Sequence, residues 1–190
     1  MSIRSVDWWS LFLLLTAFVV SVLASYTMFN FIRNLRRTNK SFRFFWLAGG
    51  VFVFGFGLLT KHFMTTMALH LLLRIEWSLL LVSIFAVLLA LLTFVMLMMP
   101  DAYPHRLPLG SLILSVGIAF PTYFWTPGLD MVGFNLDPGP FALSVVILFA
   151  GVYGSLLLSE HPRSTSRWPA GWALGCTLMA AQLTGVSAMR

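Results

Sequence analysis

Uncharged apolar residues fill six long stretches of this 190-residue chain, separated by short segments that contain the polar and charged residues. The stretches cover residues 8–32, 44–60, 77–100, 107–129, 138–159 and 168–189. A helix rises ~1.5 Å per residue, so about 20 apolar residues cross a hydrocarbon core of ~30 Å. Lipid offers the backbone no hydrogen-bond partners, so each stretch must satisfy its own N–H and C=O groups. We therefore predict an all-α integral membrane fold with six transmembrane helices.

Composition supports a single transmembrane domain over residues 1–190. The mean hydropathy is +0.89, and 9% of the residues are charged, whereas soluble domains carry about 25%. In a soluble protein, the net charge of +6 would suggest a nucleic-acid partner. Here the basic residues have a different explanation, because they collect in cytoplasmic loops of membrane proteins. The expected partner is the lipid bilayer, with no nucleic acid.

The basic residues are divided unevenly between the two ends of the predicted helices. Eight of the 12 follow the first, third and fifth stretches. They are Arg33, Arg36, Arg37, Lys40, Arg43, Arg106, Arg163 and Arg167. The positive-inside rule places these loops in the cytoplasm and both termini outside. We expect Glu160 to be a solvated loop residue on the cytoplasmic side and Lys61 to extend to the outer interface.

Small residues recur every sixty positions in the second, fourth and sixth stretches. One set is Gly50, Gly110 and Ala170, and a second is Gly55, Ser115 and Gly175. Small side chains let membrane helices approach closely. The pattern predicts three repeated helix hairpins, over approximately residues 7–70, 71–130 and 131–190, with the three even-numbered helices packed in the centre.

The second stretch also resembles a known family. Its segments are Trp46-Leu47-Ala48-Gly49-Gly50, Gly55-Phe56-Gly57 and His62-Phe63. These are similar to the MHYT domain of bacterial membrane sensors, in which three helix pairs carry a Met-His-Tyr-Thr-Gly-Met motif at their outer ends. The family is proposed to bind copper through Met and His and to sense a diatomic gas. The resemblance implies a sensor or metal-accessory module in the bacterial inner membrane.

The chain departs from the family motif in every repeat. The motif reads Lys-His-Phe-Met-Thr-Thr at 61–66, Pro-Thr-Tyr-Phe-Trp-Thr at 121–126 and Ala-Gln-Leu-Thr-Gly-Val at 181–186. Two of the three motif histidines and all of the motif methionines are replaced. We therefore expect a degenerate, stand-alone member of the family that has lost most of the copper ligands.

Two interpretations of the site stay open. A copper ion would need His62 with Met64 or Met67, but these methionines, at i+2 and i+5, both face away from His62 on a regular helix. Lys61 would add a repelling charge beside a metal ion. We favour a hydrogen-bonded polar cluster without a tightly bound metal or other cofactor. Its members would be His62, Thr122, Tyr123 and Gln182.

The sequence contains no recognisable catalytic motif, and we expect that the protein is not an enzyme. There is no phosphate-binding glycine loop and no nucleophile elbow, and the six acidic residues lie outside the predicted helices. The favoured function is a non-enzymatic sensor or metal-accessory module that acts through a partner protein. The alternative is a small structural or accessory subunit of a larger membrane complex. Either function implies another membrane protein, or further copies of this chain, as a partner.

Overall fold

The computed structural model describes residues 8–38, 40–68, 92, 105–124, 138–160 and 167–187. These residues form five α-helices, and the predicted all-α class is confirmed for them. The helices are α1 (Trp8–Arg37), α2 (Lys40–Ala68), α3 (Arg106–Phe124), α4 (Pro138–Glu160) and α5 (Trp168–Ser187).

Three of these helices are long and apolar enough to cross a membrane. They cover Trp8–Arg37, Phe42–Thr65 and Ala142–Glu160, and Arg106–Ala119 is a shorter apolar helix. The chain is therefore a membrane protein built from apolar helices. The third predicted stretch, residues 77–100, lies outside the described residues except for Leu92. The count of six transmembrane helices stays a prediction.

Most helix ends lie within a few residues of their predicted positions, and α2 differs most. The apolar stretch predicted helix over 44–60, but α2 begins at Lys40 and continues to Ala68. It therefore includes Lys61 and His62 in regular helix. In α3, the helix continues past Pro121 and ends at Phe124, a few residues before the predicted limit of 129.

The described helices pack in the order α2, α1, α5, α4, α3. Helix α1 lies between α2 and α5, while α4 packs on both α5 and α3. The second, fourth and sixth stretches, which are α2, α3 and α5, were expected to pack together in the centre. This expectation is wrong for the described part of the chain, since α2 packs chiefly on α1. The physical reason is that one face of α1 carries the small buried residues Ala17, Ser21, Ala24 and Ser25, while another face meets glycines of α5 at Val22 and Tyr26.

Glycines set the distance between α1 and its two neighbours. A methyl group built on Gly57 of α2 would overlap the Cβ of Ala24. One built on Gly171 of α5 would lie 3.0 Å from the Cα of Tyr26. Dispersion forces hold membrane helices together, and they require such close approach. The further contacts of Gly49 with Phe31 and of Gly175 with Val22 show that α1 is antiparallel to both α2 and α5.

Buried hydroxyl groups on these helices are satisfied by carbonyls of their own helix. Ser21 Oγ donates to the Ala17 carbonyl at 2.8 Å, and Ser25 Oγ donates to the Ser21 carbonyl at 2.7 Å. Thr65 Oγ1 donates to the Lys61 carbonyl at 2.9 Å. Because serine and threonine can bond back along the helix, they serve as small packing residues without a polar partner on the next helix.

Helices α2, α3 and α5 bury the same face in a sixty-residue register. Phe54, Leu114 and Leu174 are at most 1% exposed. By contrast, Phe52, Leu112 and Trp172 are 71%, 50% and 49% exposed. The small residues Gly50, Gly110 and Ala170 are buried as well. Positions sixty apart in the sequence therefore occupy corresponding places relative to the packed side of each helix.

Candidate functional site

Lys61 is buried in the helix packing instead of extending to the interface. It is 3% exposed, so the expectation that it reaches the outer surface is wrong. The cause is the length of α2, which stays helical to Ala68. Lys61 follows Gly57 by four residues and precedes Thr65 by four, and all three are buried. Residues four apart share a helix face, so Lys61 lies on the face that packs on α1.

His62, Met64 and Met67 do not share a face of α2. The helix is regular from Lys40 to Ala68, and each residue turns it by about 100°. His62 and Met64 are half-buried, whereas Met67 is 55% exposed. Lys61, next in sequence to His62, would when protonated disfavour a second cation nearby. The residues of this helix therefore do not fit the copper site of the family motif.

The other members of the predicted polar cluster lie on α3 and α5. Gln182 of α5 is 3% exposed, and no described residue bonds to its buried Oε1. Thr122 and Tyr123 belong to the last turn of α3, but their side chains lie outside the described residues. The convergence of these side chains with His62 stays a prediction. A buried, unpartnered amide oxygen is costly, so Gln182 needs a donor from elsewhere.

Glu160 joins three helices at the opposite end of the molecule. Its Oε1 accepts a hydrogen bond from Arg36 Nη2 at 2.6 Å, and its Oε2 accepts one from Arg106 Nη2 at 2.7 Å. Its side chain is 20% exposed, so the expectation of a solvated loop residue is wrong. Charge-assisted hydrogen bonds of this length are the stronger class. They place the end of α1, the start of α3 and the end of α4 together.

The ion-pair arrangement was missed from the sequence, although a signal was present. Glu160 is an acidic residue at the end of a predicted span, on the side that holds eight of the 12 basic residues. A carboxylate in such surroundings finds a guanidinium partner readily. The arrangement also brings together the helix ends that adjoin the first, third and fifth loops, as the charge distribution predicted. Which side of the membrane they occupy stays a prediction.

Comparison with known proteins gives one informative relative. The chain is 29% identical over 180 residues to the bifunctional diguanylate cyclase/cyclic di-GMP phosphodiesterase MucR of Pseudomonas aeruginosa. The match covers 90% of this chain but 26% of MucR. No protein-family model matches the chain, and no solved structure matches it. The chain is therefore homologous to about a quarter of a longer protein, which is named for the synthesis and the hydrolysis of cyclic di-GMP.

Proposed function

We propose that this chain is a non-enzymatic membrane sensor module that resembles an MHYT domain and acts through a partner protein. The observation that carries the proposal is the similarity to MucR over 90% of the chain. The module corresponds to part of a protein named for two opposing activities on cyclic di-GMP. We infer that a membrane domain joined to such enzymatic activities regulates them in response to a signal.

The burial register supports the repeated architecture that the MHYT resemblance implies. Gly57 of α2 and Thr177 of α5 are separated by two repeat lengths of sixty residues. Each lies against the preceding helix of its pair, Gly57 against Ala24 and Thr177 against Gly151, although these two partners are 127 positions apart and not 120. We infer that the pairs α1–α2 and α4–α5 are two of three related hairpins, and that α3 belongs to the remaining one.

The proposed module senses without the family's copper site. Met64 and Met67 both face away from His62 on α2. Gln182 stands at the position of the third motif histidine. Gln182 Oε1 has no hydrogen-bond donor among the described residues. We infer that His62, Thr122, Tyr123 and Gln182 form a polar cluster at the outer end. The inferred orientation places this cluster outside and the arginine-rich loops in the cytoplasm of an inner-membrane protein.

A structural or accessory subunit of a larger membrane complex is the second candidate. The exposed apolar side chains of α2 favour it, since Phe44, Phe45, Phe52 and Phe56 are all more than 60% exposed. A set of exposed aromatic side chains on one helix suits packing against another membrane helix. A further copy of this chain or a different membrane protein would serve as the neighbour.

The two candidates predict different effects on the partner protein when this chain is altered: a change in its activity, or a change in its amount. The full chain is isolated from its native membranes in mild detergent, and the proteins that accompany it are quantified. The chain is then deleted, or replaced by Gln182→Ala. A sensor changes the partner's activity in the Gln182→Ala strain while the partner's amount stays constant. An accessory subunit lowers the partner's amount on deletion, and Gln182→Ala has no effect on activity. A lower amount of partner on deletion, with unchanged partner activity in Gln182→Ala, contradicts the sensor proposal.

A further inference from the structure

A cavity opens among the arginines at the loop end that Glu160 holds together. Its volume is about 170 Å³. The walls come from the ends of α1 and α4 and from the residue that precedes α5. The charged lining residues are Arg33, Arg36, Arg37, Arg167 and Glu160.

Among the residues that the structure describes, the charges that line the cavity do not balance. Four guanidinium groups face one carboxylate, and Glu160 is the sole acidic residue in the part of the chain that the structure describes. Both of its oxygens are engaged, one by Arg36 and the other by Arg106, which approaches from α3. An unbalanced set of cations in a partly enclosed space attracts an anion.

Arg167 has the strongest need for a negative partner. Its Nη1 is buried, and no described residue accepts a hydrogen bond from it. Burial lowers the pKa of Arg167, and the positive charges of Arg33, Arg36 and Arg37 lower that pKa further, against the opposite effect of Glu160. The guanidinium stays charged, because arginine is protonated at all physiological pH values. Its surroundings are therefore unfavourable until an anion enters.

We propose that this cavity binds a phosphate-type anion through Arg33, Arg37 and Arg167. Guanidinium groups present paired N–H donors that match the oxygens of a phosphate. The cavity lies at the ends of apolar helices, where an anionic phospholipid headgroup and a soluble phosphate compound both have access. This proposal rests on the cavity alone and is independent of the sensor function.

Two binding measurements on the full chain distinguish the sources of the anion. In the first, the protein is placed in nanodiscs that contain phosphatidylcholine with phosphatidylglycerol, and retained phosphatidylglycerol is counted by native mass spectrometry. In the second, inorganic phosphate and pyrophosphate are titrated calorimetrically into nanodiscs of phosphatidylcholine alone. Sodium chloride at matched ionic strength controls for screening.

Arg43→Gln is the matched control variant. Arg43 lies in the first turn of α2 and donates through Nε to the Thr38 carbonyl at 3.2 Å, but it is not among the residues that line the cavity. Arg167→Gln and Arg33→Gln each remove one equal charge from the cavity. The unfolding temperature of every variant is measured in phosphatidylcholine. If Arg167→Gln does not fold, the binding measurements on Arg33→Gln test the proposal.

The proposal predicts saturable binding in at least one of the two measurements. Arg167→Gln and Arg33→Gln then weaken it about tenfold, as the loss of a charged hydrogen bond does, while Arg43→Gln leaves it within twofold. Saturation by phosphatidylglycerol identifies a lipid, and saturation by phosphate or pyrophosphate identifies a soluble ligand. Absence of saturable binding in both measurements overturns the proposal. Equal weakening by Arg43→Gln and the cavity variants also overturns it, because that result shows general attraction by surface charge.

Discussion

Gly57 of α2 lies directly against Ala24 of α1, with no space for a methyl group between the two helices. The same relation occurs between α4 and α5, where a methyl group on Gly151 would overlap Thr177. In each pair, glycine on one helix faces a small residue on the other. Because dispersion falls steeply with distance, these two points fix how closely each pair packs.

The first prediction is that Gly57→Ala destabilises the protein. The added methyl group overlaps the Cβ of Ala24, and overpacking of this kind costs about 1–3 kcal/mol. Gly154→Ala is the control, because nothing lies within 4 Å of its added Cβ. There the change raises helix propensity and is neutral or stabilising by up to ~1 kcal/mol. Reversible unfolding in detergent measures both, and equal stabilities would show that the close approach is not tight.

The second prediction tests the sixty-residue burial register with one type of substitution at two positions of α3. Leu114 is 1% exposed and Leu112 is 50% exposed. Leu114→Ala leaves a cavity and lowers the free energy of unfolding by about 2–5 kcal/mol. Leu112→Ala removes a side chain that faces away from the described helices and costs less than ~1 kcal/mol. A larger loss at Leu112 would mean that the register assigned to α3 is wrong.

The third prediction concerns the carboxylate that joins α1, α3 and α4. Glu160→Gln removes the charge that Arg36 and Arg106 share. We expect a loss of about 1–2 kcal/mol, a modest value because the Arg36 and Glu160 side chains are 35% and 20% exposed and solvent screens such pairs. A double-mutant cycle with Arg36→Gln isolates the pair from other effects. Strict additivity of the two substitutions in low salt would show that the pair contributes no stability.

The fourth prediction is the orientation in the membrane. Arg36, Arg106 and Glu160 meet at one end, so the first, third and fifth loops share a side. The positive-inside rule makes that side cytoplasmic. Reporter fusions after Lys40 and after Gly133 should therefore report opposite compartments, with Lys40 in the cytoplasm. The same compartment for both fusions would contradict the predicted number of spans between them.

The apolar pattern alone predicted the helices well, because length and hydropathy are local properties of the chain. The start of α1 at Trp8, the start of α4 at Pro138 and the start of α5 at Trp168 agree with the described structure. The end of α2 was predicted too early, because Lys61 and His62 looked like a boundary. The helix continues because α1 covers the face of α2 that carries Lys61. A short window of sequence does not show that another helix covers a face.

Contacts between distant residues were harder to predict than the helices. Arg36 and Glu160 are 124 positions apart, and no spacing rule connects them. The central place of α1 was also missed, because its small buried residues are mostly serine and alanine instead of the glycines that marked the even-numbered stretches. Leu114 and Leu174 are buried at positions sixty residues apart, but the repeated hairpins that this spacing predicts stay a prediction.

His62 has a predicted structural role that a small stability change measures. Hydrogen bonds between polar side chains of membrane helices contribute about 0.6 kcal/mol each on average. His62→Ala should therefore lower the free energy of unfolding by roughly that amount, and Gln182→Ala should do the same. If the two side chains interact, the double variant loses less than the sum of the single variants.

Copper content tests the central claim most directly, namely that this chain keeps the membrane architecture of a sensor domain without its metal site. Wild type and His62→Ala are purified from copper-supplemented cells, and copper per chain is determined by elemental analysis. The helix geometry at His62, Met64 and Met67 predicts far less than one copper per chain in both proteins. Near-stoichiometric copper in the wild type that disappears in His62→Ala would contradict the claim and restore the metal-sensing interpretation.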